Sequence, residues 1–181
     1  MNKKTFFANV ANKALALAAT VMMMSTVFTS CSKDNDDEPK ANTVTIDGAE
    51  RAILKAEYED MDDGDYNLHL YLSDDHEEKV TMQLNKDLHM TGNPFTLTEK
   101  EEKHDGKWYW SIFYNNPEDL QFIDTFADPN SDKPVFKTGT LTISGSPEST
   151  INIRLENGRV KGKDGKEHTL TANYSGTMTK L

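Results

Sequence analysis

Tyr66-Asn67-Leu68-His69-Leu70-Tyr71-Leu72-Ser73 alternates without a break. Leu68, Leu70 and Leu72 fall on one side, and Asn67, His69 and Tyr71 on the other. Period two with one apolar face predicts a half-buried β-strand. Downstream, Asp74-Asp75-His76-Glu77-Glu78 turns the chain, and Val80, Met82 and Leu84 alternate with Lys79, Thr81 and Gln83. Upstream, the acidic segment Glu59–Asp65 reads as a loop, and Ala52–Tyr58 as a strand. Thr43-Val44-Thr45-Ile46 forms another strand, ending at the hairpin-type pair Asp47-Gly48.

The pattern continues toward the C-terminus. Phe95–Thr98 is a short strand, and a charged turn leads to the aromatic strand Trp108–Tyr114. Asn115–Pro134 is irregular, with Pro117–Ile123 read as a short helical turn or a covering loop. Strands resume at Val135–Ser144 and at Ile151, Ile153 and Leu155. Asn157-Gly158 gives the strongest two-residue hairpin signal. Leu170, Ala172 and Tyr174 form the next strand, and Gly176–Thr179 a last short one. About nine or ten short strands with short links predict an all-β, antiparallel meander. Such a meander must hide its edges. Links of two to five residues favour closure into a barrel-like domain; a two-sheet β-sandwich is the alternative.

The N-terminal segment reads differently. Lys3 and Lys4 precede a short apolar run, Ala14–Met24, which is too short for a membrane span of about 20 residues. This describes a secretory signal peptide over 1–30. It ends Val27-Phe28-Thr29-Ser30-Cys31, which resembles the lipobox of bacterial lipoproteins, and Cys31 is the only cysteine. Lipidation of Cys31 would anchor the mature chain to a membrane without a spanning helix and leave no disulfide. Residues 31–42 are expected to be a flexible acidic tether, since Ser32–Lys40 holds no apolar residue to pack, and 43–181 a single β-domain. Residues 1–30 carry Lys3, Lys4 and Lys13 but no acid, so the exported part is more acidic than the −10 of the whole chain. Such a surface repels phosphate backbones and excludes nucleic acid as an expected partner.

The acidic run after Cys31 resembles the export signal of surface lipoproteins of Bacteroidetes. Phe136–Ile143, Asn157-Gly158 and Leu170–Met178 together resemble small lipoproteins of that group with calycin-like, lipocalin-type β-domains of largely unassigned function. The resemblance implies a protein anchored in the outer membrane and facing the exterior. It brings no catalytic residue.

Candidate chemistry is sparse. Trp108, Trp110, Ile112 and Tyr114 share one strand face, and Tyr109 and Phe113 the other. Core is the favoured reading of one side; the functional alternative is an aromatic wall for a sugar ring or apolar ligand, with Trp108, Trp110 and Tyr71 as candidate ligand-binding residues. Asp60, Asp62 and Asp65 are the calcium candidates in the acidic loop, but Gly64 stands one place early for an EF-hand and no Glu closes the pattern, so a solvated turn is favoured. None of His69, His76, His89, His104 and His168 falls in a metal-ligand motif, and no nucleophile elbow or phosphate loop is present. The expected role is therefore a binding or assembly module for a glycan, a small ligand or an envelope protein, without a cofactor. A structural envelope lipoprotein is the alternative; an extracytoplasmic hydrolase ranks below both, and no enzyme is expected.

Overall fold

The computed structural model describes residues 42–181. The segment expected to be a signal peptide, Cys31 and the expected tether through residue 41 lie outside the described residues. Asn42, the last residue of the expected tether, is already tied in: its carbonyl accepts from the Ile53 N–H (2.9 Å) and its side-chain Oδ1 from the Ser175 N–H (2.9 Å).

The elements run β1 (Thr43–Ile46), β2 (Ala49–Ala52), β3 (Lys55–Asp60), β4 (Asp65–Tyr71), β5 (Lys79–Asn85), α1 (Lys86–His89), β6 (Phe95–Thr96), β7 (Ser111–Asn115), β8 (Ile123–Phe126), β9 (Thr138–Gly145), β10 (Ile151–Lys161), β11 (Glu167–Gly176) and β12 (Thr179–Lys180). They form two six-stranded sheets. The first has the order β2-β1-β11-β10-β9-β6 and the second β12-β3-β4-β5-β7-β8. The all-β class holds, but the described strands do not close into one barrel; a sandwich-like, two-sheet arrangement fits. The meander is broken because the chain keeps changing sheets. After the β1–β2 hairpin, Ile53 and Leu54 carry it across, so the expected single strand Ala52–Tyr58 is two strands in different sheets. β6 returns to the first sheet between β5 and β7. Strand pairing is antiparallel except at the C-terminus, where β12 lies parallel to β3.

Alternation fills one core from both sheets. Leu68, Leu70, Val80, Met82, Leu84 and Ile112 of the second sheet join Leu141, Ile143, Ile153, Leu155 and Leu170 of the first, all essentially inaccessible to water. Each such side chain contributes about 1.5–3 kcal/mol on burial.

Asp47-Gly48 turns as expected, both residues having positive φ (50° and 78°). Asn157-Gly158 does not turn. β10 runs straight through it, with the register against β11 shifting between Leu155 and Gly158. Asn157 takes the left-handed conformation (φ 52°). Gly158 lies so close to β11 that an added Cβ would sit 2.3 Å from the Leu170 carbonyl oxygen. The pair makes a β-bulge, which uses the same backbone freedom as a hairpin turn. The true turn lies further on, where the Gly162 N–H donates to the Lys166 carbonyl (2.9 Å).

Candidate functional site

The second sheet turns its inner face to the core. Its other face carries the chemistry, arranged by register in rows across the strands. Glu59, Asn67, Gln83, Ser111 and Phe126 make one row; Glu57, His69, Thr81, Phe113 and Asp124 the next; Lys55, Tyr71, Lys79 and Asn115 a third.

β4 is buried on both sides, not one, because long side chains from β3 and β5 lean over it. Asn67 Nδ2 donates to Glu59 Oε2 (2.7 Å), while Asn67 Oδ1 is buried without a donor among the described residues. An acceptor in that position costs about 1–3 kcal/mol. His69, 9% exposed, meets Thr81 Oγ1 at 3.0 Å and lies 3.9 Å from Glu59. Burial, and then the Lys79 charge, hold its imidazole below the usual histidine range. Tyr71 lies under the ammonium groups of Lys55 and Lys79, 5.7 and 5.4 Å from the ring centre. Burial, and then its hydrogen bond with Glu57, push its phenol up to about 12. The Lys55 ammonium, 2.5 Å from Glu57, keeps that carboxylate below its ordinary value.

The aromatic end is different. Gln83, Lys107, Trp108, Tyr109 and Phe126 line an open cleft of about 170 Å³. Asp65 Oδ1 fixes the approach by accepting from the Trp108 backbone N–H (3.0 Å) and from Asn85 Nδ2 (2.7 Å). The Tyr109 ring stacks on His104 (4.1 Å between centroids) and stands edge-on to Phe126. Lys107 is paired with Asp87 at 2.8 Å. Among the described residues, the Trp108 indole N–H and the Gln83 amide have no hydrogen-bond partner.

A buried brace supports this cleft. The Asn85 N–H donates to His89 Nδ1 (2.8 Å), so the proton of the neutral ring sits on Nε2, which donates to Glu101 Oε1 (2.6 Å). The other Glu101 oxygen accepts from the Trp110 N–H and meets His104 Nε2 at 3.4 Å. Burial pushes the Glu101 carboxyl up, but the hydrogen bond from His89 and the charges and donors around it bring it below its usual value. A metal at His89 Nε2 would need the proton on Nδ1, pointing at the Asn85 N–H. Among the described residues no group of three or more His, Cys, Asp or Glu is placed to hold a metal ion.

The expected site residues divide. Trp108 lines the cleft, half-buried. Trp110 does not: it is 1% exposed and packs on Phe136 in the core. Regular alternation starts only at Ser111, so it cannot be extended back over 108–110, and the two tryptophans do not share a face. For the same reason Tyr109 lies beside Trp108 and not opposite it. Tyr71 is on the cleft's sheet face, but in the far row and 6% exposed. The calcium candidates stay in one turn, where the Asp62 N–H donates to Asp60 Oδ1 (3.2 Å), but their carboxylates are engaged differently: Asp60 pairs with Lys180, and Asp65 is buried accepting from Trp108 and Asn85. Gln83 and Asn67 were visible as polar members of alternating strands but carried no special signal. Phe126 lay in a stretch with no legible period.

A larger cleft, about 240 Å³, lies at Phe122, Pro134, Lys133, Lys161 and Lys163. Asp124 pairs with Lys133 and Asp119 with Lys163, while Lys161 lines the cleft without an ion pair among the described residues. No protein-family model, no curated protein and no solved structure matches the chain.

Proposed function

We propose that this chain is a lipid-anchored module on the outside of the cell that binds glycan through the Trp108 cleft. The resemblance to surface lipoproteins of Bacteroidetes supplies the address, and Cys31 the anchor. One observation carries the binding reading: an indole with a free N–H and an unpaired amide stand together at an open aromatic cleft. A pyranose ring has an apolar face for the aromatic surface and a rim of hydroxyls for the amide and indole. The cleft is smaller than the roughly 300–1,000 Å³ of drug-sized sites, which suits a ring lying on a surface better than a ligand enclosed by it.

The protein has two tryptophans, one in the core and one at the cleft, so emission separates them. Acrylamide is expected to quench Trp108 and leave Trp110 dark to the quencher; a saccharide from a glycan array should protect the quenchable fraction, and Trp108→Phe should abolish both responses. Array silence together with no protection by any saccharide defeats the proposal. For the anchor, Cys31→Ala is expected to move the protein from the membrane fraction to the soluble one, or to leave the leader uncleaved. Unchanged membrane retention and processing would contradict it.

A further inference from the structure

We infer that the ligand is a neutral oligosaccharide chain, not a single ring, and that it runs across the strands from the Trp108 cleft over Gln83 and Asn67 to Glu59. This rests on the proposed glycan reading of the cleft and specifies the class of ligand.

The register supplies the path. Gln83 lines the cleft, Asn67 is its partner on β4, and Glu59 is the partner of Asn67 on β3. Neighbouring strands lie about 4.8 Å apart, so Gln83 and Glu59 are separated by roughly two strand spacings, more than one sugar ring on the cleft covers. Every position on this line offers hydrogen bonding that the protein leaves open. The Gln83 amide is unpaired among the described residues. Asn67 is nine-tenths buried and its Oδ1 lacks a donor. Gln83 and Glu59 flank it in the row, and since the acceptor is covered, a hydroxyl reaches it only when one of these longer side chains swings aside. Glu59 keeps its side chain 43% exposed, and a carboxylate accepting from hydroxyls makes the stronger, charge-assisted kind of bond.

Charge selects against acidic glycans. Glu57 and Glu59 sit at the far end of the path. The nearby cations are committed: Lys55 to Glu57, Lys107 to Asp87 and Lys133 to Asp124, with Lys79 over the Tyr71 ring. A uronate would meet the Glu59 carboxylate at the end of the row, whereas Lys79, which keeps its charge over the Tyr71 ring, stands two rows away.

The test compares glucose, mannose and N-acetylglucosamine with cellohexaose, mannohexaose, chitohexaose and hexagalacturonate, by calorimetry and by protection of Trp108 from acrylamide. At least one neutral hexasaccharide is expected to bind about tenfold or more tighter than its monosaccharide, as one or two added hydrogen bonds provide. The gain should be lost in both Asn67→Leu and Glu59→Ala, and hexagalacturonate should bind more weakly than the neutral chains. Buried Trp110 emission and the thermal midpoint report whether each variant is folded, and exposed Glu59 is the safer of the two. Equal affinity for monosaccharide and hexasaccharide, a gain that survives in folded Glu59→Ala, or tight binding of hexagalacturonate would overturn this inference and leave the cleft's proposed role standing. No effect of any saccharide on Trp108 overturns both.

Discussion

Trp108 and Trp110 are two residues apart and live in different solvents. The Trp110 indole is packed against Phe136, and truncating a buried residue of that size leaves a cavity the core cannot fill. Trp110→Ala is expected to cost about 3–5 kcal/mol in a denaturant titration. Trp108→Ala should cost far less, because the ring is half-buried and its structural tie, to Asp65, is made by the backbone N–H, which alanine keeps. A similar loss of stability in the two variants would show that the cleft is a continuation of the core. The same pair shows the limit of pattern reading at this scale. Spacing by two put both indoles on one face, but spacing has meaning only inside a regular strand, and β7 begins one residue after Trp110. Likewise, the His89–Glu101 contact spans 12 residues and a change of sheet; nothing local in the chain marks it.

Among the elements, β10 tests whether the bulge is built in or incidental. Gly158→Ala drives a Cβ to 2.3 Å from a backbone oxygen and 2.8 Å from Leu155. The backbone cannot yield without breaking the β10–β11 ladder, so a loss of about 1–3 kcal/mol is expected from overpacking. Gly48→Ala meets nothing within 4 Å and pays only for its left-handed backbone, about 1–2 kcal/mol. Urea midpoints would separate two mechanisms that look alike in sequence: if Gly158→Ala leaves the midpoint unchanged, β10 and β11 are not held at the observed spacing. Much of the strand content was legible, since β4, β5, β9 and β11 each alternate with large apolar residues inside. Asn157-Gly158 was misread because a two-residue turn and a bulge both ask for left-handed backbone, and only the strand lengths on either side distinguish them. β8 was missed because its inward Ile123 and Thr125 give a weak alternation. The parallel β12–β3 pair could not be foreseen from short links, because it is made by the chain's end and has no link to its partner.

At the scale of the whole molecule, the sheet-to-sheet crossings explain why a meander of short links does not become a barrel, while the pairing of β1 with β11 inside the first sheet brings the β1–β2 and β10–β11 turns together around His168. Its Nδ1 meets Asp47 of the β1–β2 turn (2.7 Å) and its Nε2 meets Asp164 of the β10–β11 turn (3.0 Å). The Phe122 ring packs edge-on against it (4.8 Å), and the Thr169 N–H also donates to Asp47. Burial acts to lower the imidazole's pKa, but the bonds to Asp47 and then Asp164 outweigh it and the net shift is upward. A group raised in the folded state stabilises fully below its unfolded value, about 6.5, and loses that contribution as pH rises through the folded value. Its two carboxylates are lowered, Asp164 chiefly by His168 itself and Asp47 by the same bond acting against burial; what they contribute is present above their unfolded values near 4 and is lost in acid. His69 runs the other way: lowered by burial, it stabilises above about 6.5 and weakens the fold as pH falls below it. Opposed histidines make the pH profile of the wild type alone ambiguous, so the informative measurement is a difference. The stability gap between wild type and His168→Gln, read from urea midpoints, is expected to be widest near pH 5.5, to narrow as pH rises toward about 9 and the imidazolium is lost, and to narrow again below about pH 4 as Asp47 and Asp164 take up protons. A gap that stays constant from about pH 5.5 to 9 would mean that His168 joins the two turns by shape and neutral hydrogen bonds alone, and that its charge plays no part in closing this end of the domain.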